Sequence, residues 1–167
     1  MSAPVAPVLR RPEHQVSRQA VAYWTVRALS CWVLALVAQA VWLVLDDGSR
    51  AGWHWLGIAA TVLLGVSHCA VMPRWRYRVH RWETAPGALY VQTGWLVQDR
   101  RIAAVSRIQT VDSSRGPLEQ HFGLTNVTVT TASAAGPLVI QGLADDVASR
   151  LVAELTEQVK TTKGDAT

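Results

Sequence analysis

His54 and His68 are the side chains in this sequence best suited to proton transfer or metal ligation, because both fall in strongly apolar stretches where an ionisable group is costly. They stand 14 residues apart, about four helical turns, so on a helix they share a face but lie roughly 21 Å from each other. That separation excludes one shared metal ion, and it equally excludes axial ligation of one haem by this pair. His54, at the edge of its stretch, is expected to be solvated. His68, four residues before the end of the same stretch, is expected to hydrogen-bond to a neighbouring helix or to face lipid headgroups. Cys31 and Cys69 belong to different apolar stretches with no CxxC or Cys/His cluster, and they read as two packed thiols. Ser106 and Ser133 lack a neighbouring His/Asp pattern, and Asp112 and Glu119 pair no better than chance across a turn. GxSxG, Walker, GxGxxG, HExxH and paired-carboxylate motifs are all missing. No catalytic residue, metal ligand or cofactor site is therefore expected, and the chain is read as non-enzymatic.

The elements that would carry these residues are more informative than the residues themselves. Ala28–Leu45 runs 18 residues and Trp53–Met72 runs 20 without a charge, with seven residues between them. About 20 helical residues cross a hydrocarbon core roughly 30 Å thick. Every backbone amide in lipid must be satisfied within its own segment, which predicts a two-helix hairpin. A cleaved signal peptide is the competing reading of the first stretch, since Ala38-Gln39-Ala40 resembles a cleavage site. The 27-residue basic leader, the apolar continuation through Val41–Leu45 and the second full-length stretch all favour the hairpin. Ala35, Ala38, Gly57, Ala60 and Gly65 are small enough to let the helices approach closely, although no GxxxG occurs within the two stretches.

Half of the residues are hydrophobic and 17% are charged, a balance that suits a membrane chain with one soluble domain. The net charge of +4 resides largely in arginines beside the apolar stretches: Arg10, Arg11, Arg18 and Arg27 before the first, Arg74, Arg76, Arg78 and Arg81 after the second. This placement points to membrane topology; no recognition motif supports nucleic acid as a partner. The connecting loop Asp46–Gly52 holds two acids and one base, so both termini are expected in the cytoplasm and the loop outside. Trp42, Trp53 and Trp55 flank that loop, while Trp24 and Trp75 mark the inner ends, as interfacial indoles do. Trp32, inside the first stretch, reads as packing.

The remainder reads as short strands followed by a helix. Residues 1–19 are a basic tail, 20–73 the hairpin, 74–160 a soluble domain and 161–167 a disordered tail. Strands are expected at Arg76–Trp82, Ala88–Thr93, Trp95–Ile102, Arg107–Val111, Leu124–Thr131 and Leu138–Gln141, with Gly94 as a turn or bulge. Pro117 can open a helical turn that Gly123 closes with φ > 0. Leu118 and Phe122, four apart, would then point together into a core, with Phe122 (the sole phenylalanine) as its plug. Gly142-Leu143 reads as a corner before a helix that Asp145 caps and that extends to about Lys160, with Val147, Leu151, Leu155 and Val159 on one face. A small barrel or bent sheet closed by a terminal helix is the predicted fold.

The segments Arg107-Ile108-Gln109-Thr110-Val111, Gly116-Pro117-Leu118-Glu119-Gln120-His121-Phe122-Gly123-Leu124, Val127–Ala132 and Leu138–Leu143 together resemble the bacterial pleckstrin-homology domain (bPH2 type) of YdbS-like membrane proteins. The family pattern is "RIQ-V", "GPLER-FGL", a strand ending in "TA", and "I-GL" before the last helix. Gln120 stands where Arg is usual. The resemblance spans about residues 20–160, hairpin included. It implies an α+β membrane protein: a two-helix hairpin followed by a seven-stranded, bent antiparallel sheet capped by the C-terminal helix, without known catalysis. It also implies pairing with a related membrane protein carrying the same kind of domain, and a link to envelope stress or antimicrobial-peptide tolerance.

Eukaryotic pleckstrin-homology domains bind phosphoinositides through basic residues of the first hairpin loop. Here the corresponding loop, Glu83-Thr84-Ala85-Pro86-Gly87, is acidic and has no lysine, so that role does not carry over. Arg74, Arg76, Arg78 and Arg81 are instead candidate contacts with an anionic membrane surface, or simple topological anchors. Arg100 and Arg101 read as a solvated loop. The expected function is that of a membrane-tethered scaffold with the lipid bilayer and a second membrane protein, or a second copy, as partners. The alternative is an oligomeric transport component that uses His68 and the hairpin interior.

Overall fold

The computed structural model describes residues 11–46, 51–133 and 136–164. Residues 1–10, most of the connecting loop and residues 165–167, on which parts of the tail and loop expectations fall, lie outside the described residues. The chain begins with a two-residue strand β1 (His14–Gln15), followed by helices α1 (Gln19–Leu45) and α2 (Ala51–Val79). Strands β2 (Arg81–Ala85), β3 (Ala88–Gly94) and β4 (Gln98–Ala104) come next; a 3-10 turn at Val105–Arg107 leads to β5 (Ile108–Ser114). Short helix α3 (Pro117–His121), β6 (Leu124–Thr131), β7 (Leu138–Ala144) and α4 (Asp145–Gly164) complete the order.

Helices α1 and α2 are long and apolar enough to cross a membrane. Their outward side chains, among them Leu34, Val44, Leu63 and Val66, stay exposed, as lipid-facing residues do. The two helices touch through matched features. Gly65 lies against the Trp32 indole, so that a Cβ there would stand 3.1 Å from the ring. Trp32 Nε1–H donates to His68 Nδ1 at 3.0 Å, and Gln39 Nε2–H donates to Thr61 Oγ1 at 2.7 Å. His68 thus makes the cross-hairpin hydrogen bond that its position suggested. His54 is not solvated: it is 8% exposed, packs edge-on against Trp42, and donates through Nε2 to Asp46 Oδ2 at 3.1 Å. The acid that ends α1 supplies the partner a buried imidazole requires.

Both helices overrun the apolar stretches at the end nearest the domain, which corrects two expectations. Arg76–Val79 was expected to begin a strand, because the arginines alternate with Tyr77 and Val79; it is instead the last turn of α2, and strand pairing starts at Arg81. Pro73 sits inside α2 without ending it. Trp24, expected at the membrane interface, is 2% exposed within the core of the soluble domain, because α1 starts at Gln19 and its first turns are packed there.

The strands form two antiparallel sheets, β1-β2-β3-β4 and β5-β6-β7. β1 lies in the segment expected as a basic tail, yet His14 pairs with Trp82 and Gln15 with Arg81, and Val16 is buried. Trp95–Val97 belong to no strand; they form the loop between β3 and β4, where Gly94 pairs with Gln98. β6 occupies the span its sequence predicted, with Leu124 and Thr125 both buried at its start and buried Val127 and Val129 then alternating with half-buried neighbours. α4 closes the two sheets with Ala148, Leu151 and Leu155 turned inward and Val147, Val152 and Val159 at the margin. It continues to Gly164, past the tail boundary expected at residue 161.

Candidate functional site

A concavity lies where α2 leaves the apolar zone and meets the sheets. It measures about 490 Å³, and its walls include His68, Met72 and Arg76 of α2, Trp95 of the β3–β4 loop, Arg101 of β4 and Gln141 of β7. Arg76 is the central group. Its Cζ stands 4.6 Å from the Trp24 ring centroid, one of its terminal nitrogens donates to Gln141 Oε1 at 2.5 Å, and its Nε lies 3.5 Å from His80 Nε2. His80 Nδ1 faces the Arg76 carbonyl at 2.9 Å and must therefore donate, leaving Nε2 as the acceptor. Burial pushes the His80 imidazole down to about 4, and the nearby Arg76 charge pushes in the same direction, while the backbone hydrogen bond opposes them. His80 is thus neutral at physiological pH, and Arg76 and Arg101 carry the positive charge of the cleft wall.

A second polar cluster lies beside the start of α1. Tyr23 O–H donates to Glu119 Oε1 at 2.8 Å, and Asn126 Nδ2–H reaches the same oxygen at 3.4 Å. Asn126 Oδ1 accepts from the Gly142 amide at 3.0 Å, while the Gly142 carbonyl accepts from Ser17 N–H at 2.9 Å. The Tyr23 hydrogen bond, helped by Asn126 and backbone groups and opposed by burial, holds the Glu119 carboxyl below its ordinary value. This chain of contacts joins α1, α3, β6 and β7.

The four arginines proposed as membrane-surface contacts are not brought together. Arg74 and Arg78 are exposed on the end of α2. Arg76 turns into the cleft, and Arg81 lies on β2 with a terminal nitrogen 3.3 Å from the Pro12 carbonyl. The motif residues are closer to one another. Pro117 occupies the first turn of α3, Gly123 follows it at φ 62°, and Leu118 and Phe122 pack half-buried on the core, Phe122 edge-on to Tyr23 at 6.4 Å. Phe122 is therefore a shoulder of the core and not its centre. Gly142 is not a corner before α4: it lies within β7 at φ 75°, opposite the register shift between Thr125 and Val127. A Cβ there would stand 2.8 Å from that of fully buried Ala20. Asp145 accepts from Thr125 Oγ1 at 2.9 Å and pairs with Arg115 at 3.1 Å.

Tyr23, Glu119 and His80 escaped the sequence reading. Glu119 is partnered not with Asp112 but with Tyr23, 96 positions away. No group of three His, Cys, Asp or Glu side chains among the described residues is placed to hold a metal ion.

A family model described as "Bacterial PH domain" matches residues 24–159. The chain is 27% identical over 159 residues, 93% of this chain and 98% of the relative, to the UPF0699 transmembrane protein YdbS of Bacillus subtilis (strain 168). No solved structure matches. The likeness to a transmembrane protein and the two apolar helices identify a membrane protein. With its two-helix hairpin, paired antiparallel sheets and closing helix, the chain belongs to the bacterial PH domain family.

Proposed function

We propose that this protein is a membrane-anchored, non-catalytic interaction subunit whose partner is a second membrane protein with a related domain, or a second copy of itself. One observation carries the reading: both membrane helices continue unbroken into the domain core, where Trp24 of α1 lies beneath Arg76 of α2. The domain is thereby held at a fixed height and angle against the bilayer, as a docking platform requires. β5 offers the docking edge. It pairs only with β6 among the described residues, and Gln109, Thr110 and Asp112–Ser114 are exposed along it. An open strand edge accepts another chain by β-augmentation.

The hairpin crosses the bilayer twice, with the N-terminal segment and the soluble domain in the cytoplasm. The arginines flanking the helices and the pairing of β1 with β2 support this arrangement. Envelope stress, or tolerance of antimicrobial peptides, is the setting we assign on the family resemblance.

A photo-crosslinking residue in place of Thr110, activated in native membranes, tests the partner. Capture of a membrane PH-domain protein or of a second copy is expected, whereas a chain that stays uncrosslinked in every growth condition, envelope stress included, overturns the reading. A reporter fused after residue 167 should be active in the cytoplasm, and activity only on the other side would overturn the topology.

A further inference from the structure

We propose that the β3–β4 loop is a third membrane contact: Trp95, Leu96 and Val97 sit in the headgroup and upper acyl region beside the end of α2. The inference rests on α1 and α2 being membrane spans. Given that, the depth of the loop follows from three contacts. The Trp95 ring lies 5.5 Å from the ring of His68, which belongs to the apolar stretch ending at Met72. His68 in turn is hydrogen-bonded to Trp32 of α1, itself flanked by exposed Leu29 and Val33. The loop tip is therefore level with side chains that face lipid.

Its chemistry suits that depth. Leu96 and Val97 are 82% and 79% exposed, among the most exposed large apolar side chains of the soluble domain, and no group among the described residues covers them. Backbone carbonyls that leave water need a donor. The Trp95 carbonyl has one, accepting from Trp75 Nε1–H at 3.0 Å. Trp75 is thus tied to the Trp95 backbone, and both residues lie where indoles favour the headgroup level. On the β4 side, Arg100 is exposed and within reach of lipid phosphates, with Asp99 beside it. The occupant of this apolar tip is the bilayer, because the tip continues the lipid-facing surface of the hairpin.

Nitroxide spin labels tell lipid from water. In a full-length Cys31→Ser, Cys69→Ser background reconstituted in vesicles of phosphatidylethanolamine and phosphatidylglycerol, Leu96→Cys, Val66→Cys and, on the exposed face of α4, Ala153→Cys are labelled singly. Collision with dissolved oxygen should exceed collision with a water-soluble nickel chelate several-fold at positions 66 and 96, and the order should reverse at 153. Position 96 behaving like 153 while 66 remains in lipid would overturn the proposal alone. Position 96 shielded from both probes would assign the tip to a protein partner and overturn it too. Water exposure at 66 would instead remove the membrane spans themselves, and this inference with them.

Discussion

The Tyr23 hydroxyl donates to Glu119 Oε1 at 2.8 Å, tying the first helix to the short α3 helix 96 positions later. Hydrogen bonds to a charged group contribute about 1.5–3 kcal/mol net. Tyr23→Phe and Glu119→Ala should each lower the unfolding free energy of the soluble domain by about 1–2 kcal/mol in detergent. Combined, they should cost clearly less than their sum, because they remove one shared contact. Chemical unfolding followed by tryptophan fluorescence measures this, and strict additivity would contradict the link.

Gly142 combines a left-handed backbone with a close approach, and the two can be separated. Asn tolerates positive φ, so Gly142→Asn relieves the conformational problem but still drives a Cβ toward Ala20. Gly87, at φ 79° with open space around it, provides the control. Gly87→Asn should shift Tm little, while Gly142→Asn and Gly142→Ala should each destabilise by about 1–3 kcal/mol. Equal effects at both sites would show that the Ser17–Ala20 segment does not hold its place against β7.

Acid should loosen the domain through His80. Its imidazole titrates at about 4 when folded and at 6.5 otherwise, so the unfolded chain binds the extra proton between those values. Stability therefore falls as pH drops from 6.5 toward 4 and levels off below. Glu119 adds to the loss at the acidic end, since its depressed carboxyl favours folding only above the ordinary carboxylate range. Thermal unfolding at pH 7 and pH 4.5 should show a smaller difference for His80→Gln than for the natural protein.

Within the hairpin, Trp32→Phe removes the donor to His68, and Gly65→Val pushes a branched side chain into the Trp32 ring. Interhelical hydrogen bonds in membranes contribute about 0.6 kcal/mol on average, so the Phe variant should be mildly affected. The Val variant should separate the helices and lose resistance to denaturing detergent. Titration with SDS, read by proximity labels on the two helices, ranks them; the opposite order would make the hydrogen bond, and not close packing, the main link.

The parts of the fold legible in the sequence were those with local causes. The lengths of the apolar stretches, the alternation in Leu124–Thr131 and the Pro117-to-Gly123 turn each depend on neighbouring residues. The ends of the helices were not legible. Arg76 to Trp82 alternates as a strand would, yet residues 76–79 stay helical, with Arg76 packed on Trp24 and hydrogen-bonded to Gln141. β1 is two residues long, too short for any periodicity, and exists because β2 is beside it. The Arg76–His80 cleft and the Tyr23–Glu119 contact join residues from distant parts of the chain, and spacing cannot reveal such partners.

Glu13 N–H donates to the Glu83 carboxylate across seventy positions, with both apolar helices made in between. The first strand must therefore wait, through synthesis of the whole hairpin, for its neighbour to emerge. On the proposed two-span topology, a chain in which one helix fails to insert leaves strand and neighbour on opposite sides of the lipid, and the first sheet stays open. Closure of that sheet therefore requires both helices to be in place.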